Sequence, residues 1–409
     1  MFTRRQFLHA GTTAAGASFL ALADRSPGLL IRAAEAARAA DRNDRILVVI
    51  EMSGGNDGLN TLVPYENPAY YRARPTLALP KNELHSIADG YGLHPRAGAL
   101  AELFGDGLLA IVQGVGYPEP DRSHFRSMEI WHTGSTKSPA PLAGWLGRCV
   151  DAMPADVRAA MPALAMSNMV PQALRAASVS VPAVEQFETL RESVGTTDLP
   201  AEMTRKLSVK PRAKAGPAAL IAQQAQAMYR AAEQLRGAET KYRSTVAYPE
   251  TEIAGRLQKV AKALSADLGV RIFYVSQDGY DTHATQADGH GQLLQDLSEA
   301  LKAFLDDVEQ LGLGDRVVTM AFSEFGRRVD ENASRGTDHG AASCLLVAGR
   351  SVRGGLLGKY PSLEKLGDGD LLFNTDFRSV YATLLDRWLG CPSEPLLGAK
   401  FAHLDIVGG

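Results

Sequence analysis

Apolar residues along this chain fall into short dense runs and longer periodic stripes, and the two alternate. Arg45-Ile46-Leu47-Val48-Val49-Ile50 is a β-branched run followed by the turn formers Ser53-Gly54-Gly55-Asn56-Asp57-Gly58, which predicts a buried strand over 46–52 that ends in a loop. Similar runs predict strands over 107–113, 270–276, 316–322 and 343–348. Helices are expected over 95–104, where Pro95 stands near the first turn, and over 121–133 and 376–389. The clearest stripe is 288–311. There Leu293, Leu294, Leu297, Leu301, Phe304, Val308 and Leu311 recur at three- and four-residue steps, and Gly312 and Gly314 close it. Strands apolar on both faces, separated by helices, predict an α/β fold with a parallel sheet covered on both sides. The stretch 180–265 differs, being rich in Ala, Gln, Glu, Lys and Arg with helical patterning at 216–244 and 252–265. It predicts a helical insertion beside the sheet.

Composition narrows the class. At 409 residues, 45% hydrophobic and 22% charged, the chain has room for two to three domains or one large α/β domain with insertions. An aromatic share of 7% and 39 glycines suit a loop-rich α/β enzyme. The net charge of −3 conceals an asymmetry: without residues 1–40, 38 of the 43 bases and 44 of the 46 acids remain, a net of −6. A mildly acidic chain with no basic run lacks the clustered Lys and Arg that phosphate backbones require, so nucleic acid is not an expected partner.

Residues 1–40 read as an address. Arg4-Arg5 precede Gln6-Phe7-Leu8 and a weakly apolar stretch to Ala23, the charged and apolar parts of an export signal. Thr3-Arg4-Arg5-Gln6-Phe7-Leu8 is similar to a twin-arginine signal, with small residues at Ala34 and Ala36 or Ala37 and Ala39 for cleavage. The alternative is a soluble N-terminal helix containing two arginines. Nothing later offers about 20 consecutive apolar residues, so no membrane span is expected in a mature chain over 41–409. The expected location is the periplasm or the cell exterior, with the twin-arginine translocase as partner during export. The three cysteines, Cys149, Cys344 and Cys391, match no metal or redox spacing; one pair could form a disulfide, and Cys344 sits in an apolar run that suits the core.

Polar residues gather just beyond the strands, where parallel sheets bind ligands. Four loops stand out: Ser53 to Asn60, Asp278 to His283, Ser323 to Arg328, and Gly336-Thr337-Asp338-His339-Gly340 ahead of strand 343–348. Convergence of Asp, Glu and His from such loops would build a hydrolytic Zn, Mg, Mn or Ca site. Each residue has a plainer reading: Asp57 as a turn former, Asp281 as a cap, Glu324 paired with Arg327. A fifth segment, Tyr117 to Arg126, opens a helix at Ser123, which is either a helix cap or a nucleophile facing free backbone amides.

The twin-arginine start, Glu51-Met52-Ser53-Gly54-Gly55-Asn56-Asp57-Gly58-Leu59-Asn60, Ser123-His124-Phe125-Arg126, Gly279-Tyr280-Asp281-Thr282-His283, Ser323-Glu324-Phe325-Gly326-Arg327 and Gly336-Thr337-Asp338-His339-Gly340 together resemble the exported bacterial family called domain of unknown function 1501. That family is similar to the alkaline phosphatase and sulfatase superfamily. The resemblance implies a three-layer α/β/α sandwich with a mostly parallel central sheet. It implies a divalent metal (Zn, Ca, Mg or Mn) held by Asp57, Asp281, His283, Glu324, Asp338 and His339. The reacting groups it implies are Ser123, His124 and Arg327. Glu324 and Phe325 stand where the superfamily has an Asp-His pair, and no formylglycine-type Cys/Ser-x-Pro-x-Arg string lies near Ser123.

Three functions follow as expectations. The first is an exported metal-dependent hydrolase of phosphate or sulfate esters, acting on a small-molecule or polysaccharide ester. The second is a catalytically degenerate relative that binds a surface polymer or assembly partner. The third, a serine esterase, lacks the Gly-x-Ser-x-Gly elbow.

Overall fold

β1 (Ile46–Ser53) is the axis of the fold, and its side chains alternate between two apolar layers. Ile46, Val48 and Ile50 join one buried cluster, while Leu47 and Val49 join another on the opposite face. The computed structural model that shows this describes residues 44–159, 161–185 and 242–408. The expected export segment 1–40 lies outside the described residues, as does the expected helix at 216–244 except for its last three positions.

The other strands of the main sheet are β2 (Leu109–Gly116), β3 (Ala163–Ala165), β4 (Ile272–Asp278), β5 (Val317–Phe322), β6 (Ser343–Ala348), β7 (Gly355–Leu357) and β8 (Thr375–Asp376). Their order is β7-β2-β6-β5-β1-β4-β3, with β8 also beside β2. β1 runs parallel to both neighbours, with Leu47 opposite Ile272 and Ile46 opposite Val317. Every expected strand is present, with bounds shifted by up to three residues.

One strand departs from the parallel expectation. β6 runs antiparallel to β5 and to β2. The cause lies in the connection: residues 323–342 contain no helix, and only a parallel neighbour needs a helical crossover. The reversal has a functional effect, because the entry to β6 then lies at the same end of the sheet as the exits of β1, β4 and β5.

Helices cover both faces. α1 (Gly98–Gly105), α4 (Glu252–Ser265) and α5 (Gln286–Gln310) pack on the first cluster; α2 (His124–Thr133), α3 (Trp145–Ala152) and α6 (Phe377–Thr383) pack on the second. This is a three-layer α/β/α sandwich with a mostly parallel central sheet. In α5 the stripe Leu294, Leu297, Leu301, Phe304 and Val308 is fully buried. The helix expected at 376–389 is interrupted: after α6 the chain widens into a π-helical turn, Leu384–Leu389, ended by Gly390 at φ 70°. The described residues from Arg45 onward form one compact unit, and among the described residues no helix is long and apolar enough to cross a membrane.

Candidate metal centre

Three imidazoles and a carboxylate meet where β1, β4 and β5 end. His124 opens α2, Asp281 and His283 follow β4, and His339 precedes β6. Asp281 is the hub. Its Oδ1 lies 3.0 Å from His339 Nε2 and 3.1 Å from His283 Nε2, and its Oδ2 lies 3.5 Å from His124 Nε2. The donor atoms of His124, Asp281 and His339 all fall within 4.8 Å of one another. Ligands around a tetrahedral ion with bonds of about 2.0–2.1 Å stand about 3.3 Å apart, which the shorter of these spacings approach.

Each imidazole is anchored through its other nitrogen. His124 Nδ1 lies 2.8 Å from Glu324 Oε1, His339 Nδ1 2.8 Å from the Arg122 carbonyl, and His283 Nδ1 3.3 Å from Asp338 Oδ1. All three Nδ1 partners are acceptors, and so is the Asp281 carboxylate on the Nε2 side, so each ring faces acceptors at both nitrogens, an arrangement satisfied by an imidazolium or by a cation seated between Nε2 and Asp281. The His283 and His339 Nε2 atoms lie only 2.9 Å apart. Two lone pairs facing at that distance repel unless a cation or a proton lies between them. Imidazoles that ligate metal are held in this way, by an acceptor behind the ring.

The loops are held by buried polar contacts. The Glu324 carboxylate accepts from the amides of Gly54 (2.9 Å) and Gly55 (3.2 Å). Arg327, fully buried, donates to the carbonyls of Gly55 (2.7 Å), Thr337 (2.9 Å) and Tyr280 (2.8 Å), to that of Gly54, and to Asp281 Oδ1 (2.8 Å). Fully buried and bonded to three loops, it positions Asp281 and presents no exposed donor to a substrate. Gly54 has φ +121°, and a Cβ there would stand 2.4 Å from the Asp281 amide nitrogen. Gly336 is equally confined, since a Cβ would lie 2.2 Å from the His283 carbonyl carbon.

Electrostatics follow from these contacts. Burial opposes the ionisation of Asp281, yet hydrogen bonds from Arg327 and His339 outweigh it and hold its pKa at about 2. The hydrogen bond to Glu324, against some loss of hydration, raises His124 above its ordinary value. The amide of Asn332 lowers Asp338, with burial opposing and His283 assisting.

Other expected site residues lie elsewhere. Asp57 is buried and turned away from the cluster: its Oδ2 and Oδ1 accept from Arg74 at 2.5 and 2.9 Å, and Gln286 and the Leu59 amide complete its shell. Its oxygens are spent on a buried ion pair and a helix cap. Ser123 occupies the cap position of α2, but its hydroxyl makes no capping bond and is exposed; its own amide donates to Asp121 Oδ1 at 2.8 Å. Glu324 and Asp338 stand behind His124 and His283. Thus Asp281, His283 and His339 are brought together as expected, and His124 joins them as a ligand candidate.

The sequence reading missed a second polar group. A cavity of about 460 Å³ is lined by His124, Asp281 and Glu324, and also by Glu51 and His132. His132 Nε2 lies 2.8 Å from Glu51 Oε2, and the Tyr274 hydroxyl donates to the same oxygen. His132 follows His124 by eight positions, two helical turns along one face of α2, and that spacing was a legible signal. Burial pulls the Glu51 carboxyl up, but His132 and Tyr274 together bring it below the ordinary value. Phe125, at 91% exposure, stands at the cavity's edge.

Comparison with known proteins follows this geometry. Over residues 94–391 the chain matches the family described as protein of unknown function (DUF1501). No curated protein matches. Similar solved structures include a sulfatase, PsFucS1, from Pseudoalteromonas sp. (11% identity, TM-score 0.41, 89% of this chain and 71% of that chain). A protein in the alkaline phosphatase superfamily from Vibrio parahaemolyticus gives 9% identity and TM-score 0.39 over 87% and 69%. The C-terminal periplasmic domain of EcEptC from Escherichia coli, in complex with Zn, gives 9% and 0.37 over 75% and 74%.

Proposed function

Because this chain belongs to the DUF1501 family, in which function is open, we propose from its own side chains that it is an exported, metal-dependent hydrolase of phosphate or sulfate esters. The observation that carries the reading is the convergence of three anchored imidazole Nε2 atoms on the Asp281 carboxylate. His124, Asp281 and His339 would hold one divalent cation, with His283 beside them as a fourth donor. This nitrogen-rich set suits Zn better than Ca, Mg or Mn, which prefer oxygen donors. When bound, such a cation supplies Lewis acidity toward an ester oxygen and a water of lowered pKa.

The chain's own residues do the rest. Glu324 fixes the orientation of His124, and Arg327 and the Gly54 backbone fix Asp281. Glu51, held ionised by His132 and Tyr274, accepts a hydroxyl of the substrate's alcohol portion, while Phe125 offers an apolar face to a sugar or aryl ring. The substrate class is a small-molecule or polysaccharide ester.

The test combines elemental analysis with hydrolysis of 4-nitrophenyl phosphate and sulfate in Zn, Mn, Mg or Ca. One equivalent of metal, lost in Asp281→Asn and His339→Ala together with turnover, is the expected result. A metal-free protein that hydrolyses neither ester with any cation would make a non-catalytic, polymer-binding role the better reading. Export through the twin-arginine translocase is part of the proposal, and normal periplasmic yield from a chain carrying Arg4→Lys and Arg5→Lys would remove that part.

A further inference from the structure

Cys149 and Cys391 are 242 positions apart, yet they share one spot in the apolar layer formed by α2, α3 and α6. Cys149 lies on α3, and Cys391 follows Gly390, which ends the π-helical turn. Both are buried. The Cys391 thiol donates to the Cys149 carbonyl oxygen at 3.7 Å, which brings its sulfur against the Cys149 residue itself. The third cysteine, Cys344, belongs to the cluster on the other face of the sheet, so β-sheet separates it from this pair.

We propose that Cys149 and Cys391 form an oxidisable pair that closes into a disulfide, tying α3 to the C-terminal segment, when the folded chain meets a small-molecule or protein disulfide. The bond exchange is balanced. The Cys391 thiolate attacks the oxidant's disulfide, a mixed disulfide forms, and one oxidant thiolate leaves. Cys149 then gives up its proton and attacks the Cys391 sulfur, and the second oxidant thiolate departs. Two electrons pass from the cysteine sulfurs to the oxidant, and the two protons end on its released thiols.

Surroundings favour that order of attack. The neighbouring Cys149 side chain, opposed by burial and helped by the Arg271 guanidinium, holds the Cys391 thiol below its usual value, whereas burial drives Cys149 well above its own. Gly390 and Pro392, the residues on either side of Cys391, are exposed, so a small displacement of that short segment admits an oxidant. The same segment carries Trp388, whose indole nitrogen donates to the Ile46 carbonyl at 2.9 Å. A bond at Cys391 would therefore fix the clamp on the first residue of the central strand.

The experiment treats the purified protein with glutathione disulfide, alone and in mild urea that permits local opening. Remaining thiols are then alkylated in denaturant and the peptides mapped without reduction. The expected result is one cross-linked pair of peptides containing Cys149 and Cys391, with Cys344 alone alkylated. The thermal midpoint should rise by roughly 5 °C over the dithiothreitol-treated protein, and Cys391→Ser should abolish that rise. Three alkylated cysteines after oxidation in urea, or a cross-link through Cys344, would overturn the proposal. Neither outcome depends on whether the metal cavity hydrolyses esters.

Discussion

His124 and Glu324 are 2.8 Å apart through Nδ1 and Oε1, while the opposite ring nitrogen of His124 faces Asp281. The 200 positions between them close into a carboxylate–imidazole pair whose carboxylate is itself gripped by the Gly54 and Gly55 amides.

Glu324→Gln should weaken metal binding about 10–100-fold, because an amide cannot accept from His124, Gly54 and Gly55 as a carboxylate does. Stability should fall by about 1–3 kcal/mol as a buried donor loses its partner. Chelator competition and denaturant melts measure the two effects separately. Unchanged affinity would mean that Glu324 does not orient His124.

Asp57→Asn should behave in the opposite way. It leaves the Arg74 guanidinium buried without its charge partner, at a cost of about 3–5 kcal/mol, while metal content stays at the wild-type level. A variant of full stability that had lost its metal would restore Asp57 to the ligand set.

The two residues at the start of α2 should separate cleanly. Ser123→Ala removes a hydroxyl that makes no capping bond, so stability should change by less than about 0.5 kcal/mol and ester hydrolysis should persist. His124→Ala should abolish both bound metal and turnover. Loss of hydrolysis in the serine variant alone would make Ser123 the nucleophile.

Acid should unfold the protein through a pair of buried histidines. Burial lowers His290 to about 4 and, with His290 as neighbour, lowers His94 to about 3. Both folded values lie below the unfolded value of about 6.5, so between these limits the unfolded chain binds more protons and stability falls as pH falls. For His290 alone the loss between pH 6.5 and 4 is roughly 3 kcal/mol. Urea melts across that range should show the slope, and His290→Gln should flatten it. His124, whose pKa is raised, contributes in the other sense, its stabilisation fading as pH rises above the unfolded value.

The strands were legible because their buried faces demand continuous apolar runs, and the four polar loops because a parallel sheet places chemistry at its strand ends. The roles within those loops were not. Asp57 and Asp281 are both acids in Gly-rich turns and both pair with a buried arginine, and what separates them is enclosure: Asp57 is sealed in with Arg74, 17 positions away, while the Asp281 side chain stays half exposed at the cavity. No apolar periodicity marks Arg74 as interior, since its burial depends on Val329 and Arg328 carbonyls more than 250 positions away. The antiparallel β6 was hidden for a related reason: an apolar run fixes that a strand is buried, while its direction depends on the connection before it.

The central place of β1 has a consequence during synthesis. Its neighbours β4 and β5 begin at Ile272 and Val317, so the ribosome must add more than 200 residues after Ser53 before either can pair with it. At about 5–20 residues per second that is on the order of ten seconds or more, during which Ile46-Leu47-Val48-Val49-Ile50 has neither permanent hydrogen-bonding partner. A β-branched segment left bare for that long readily joins other chains edge to edge, so a holding chaperone acting on the nascent N-terminal half would raise soluble yield. A chain truncated before Val317 would leave what should be the middle of the sheet as an open edge.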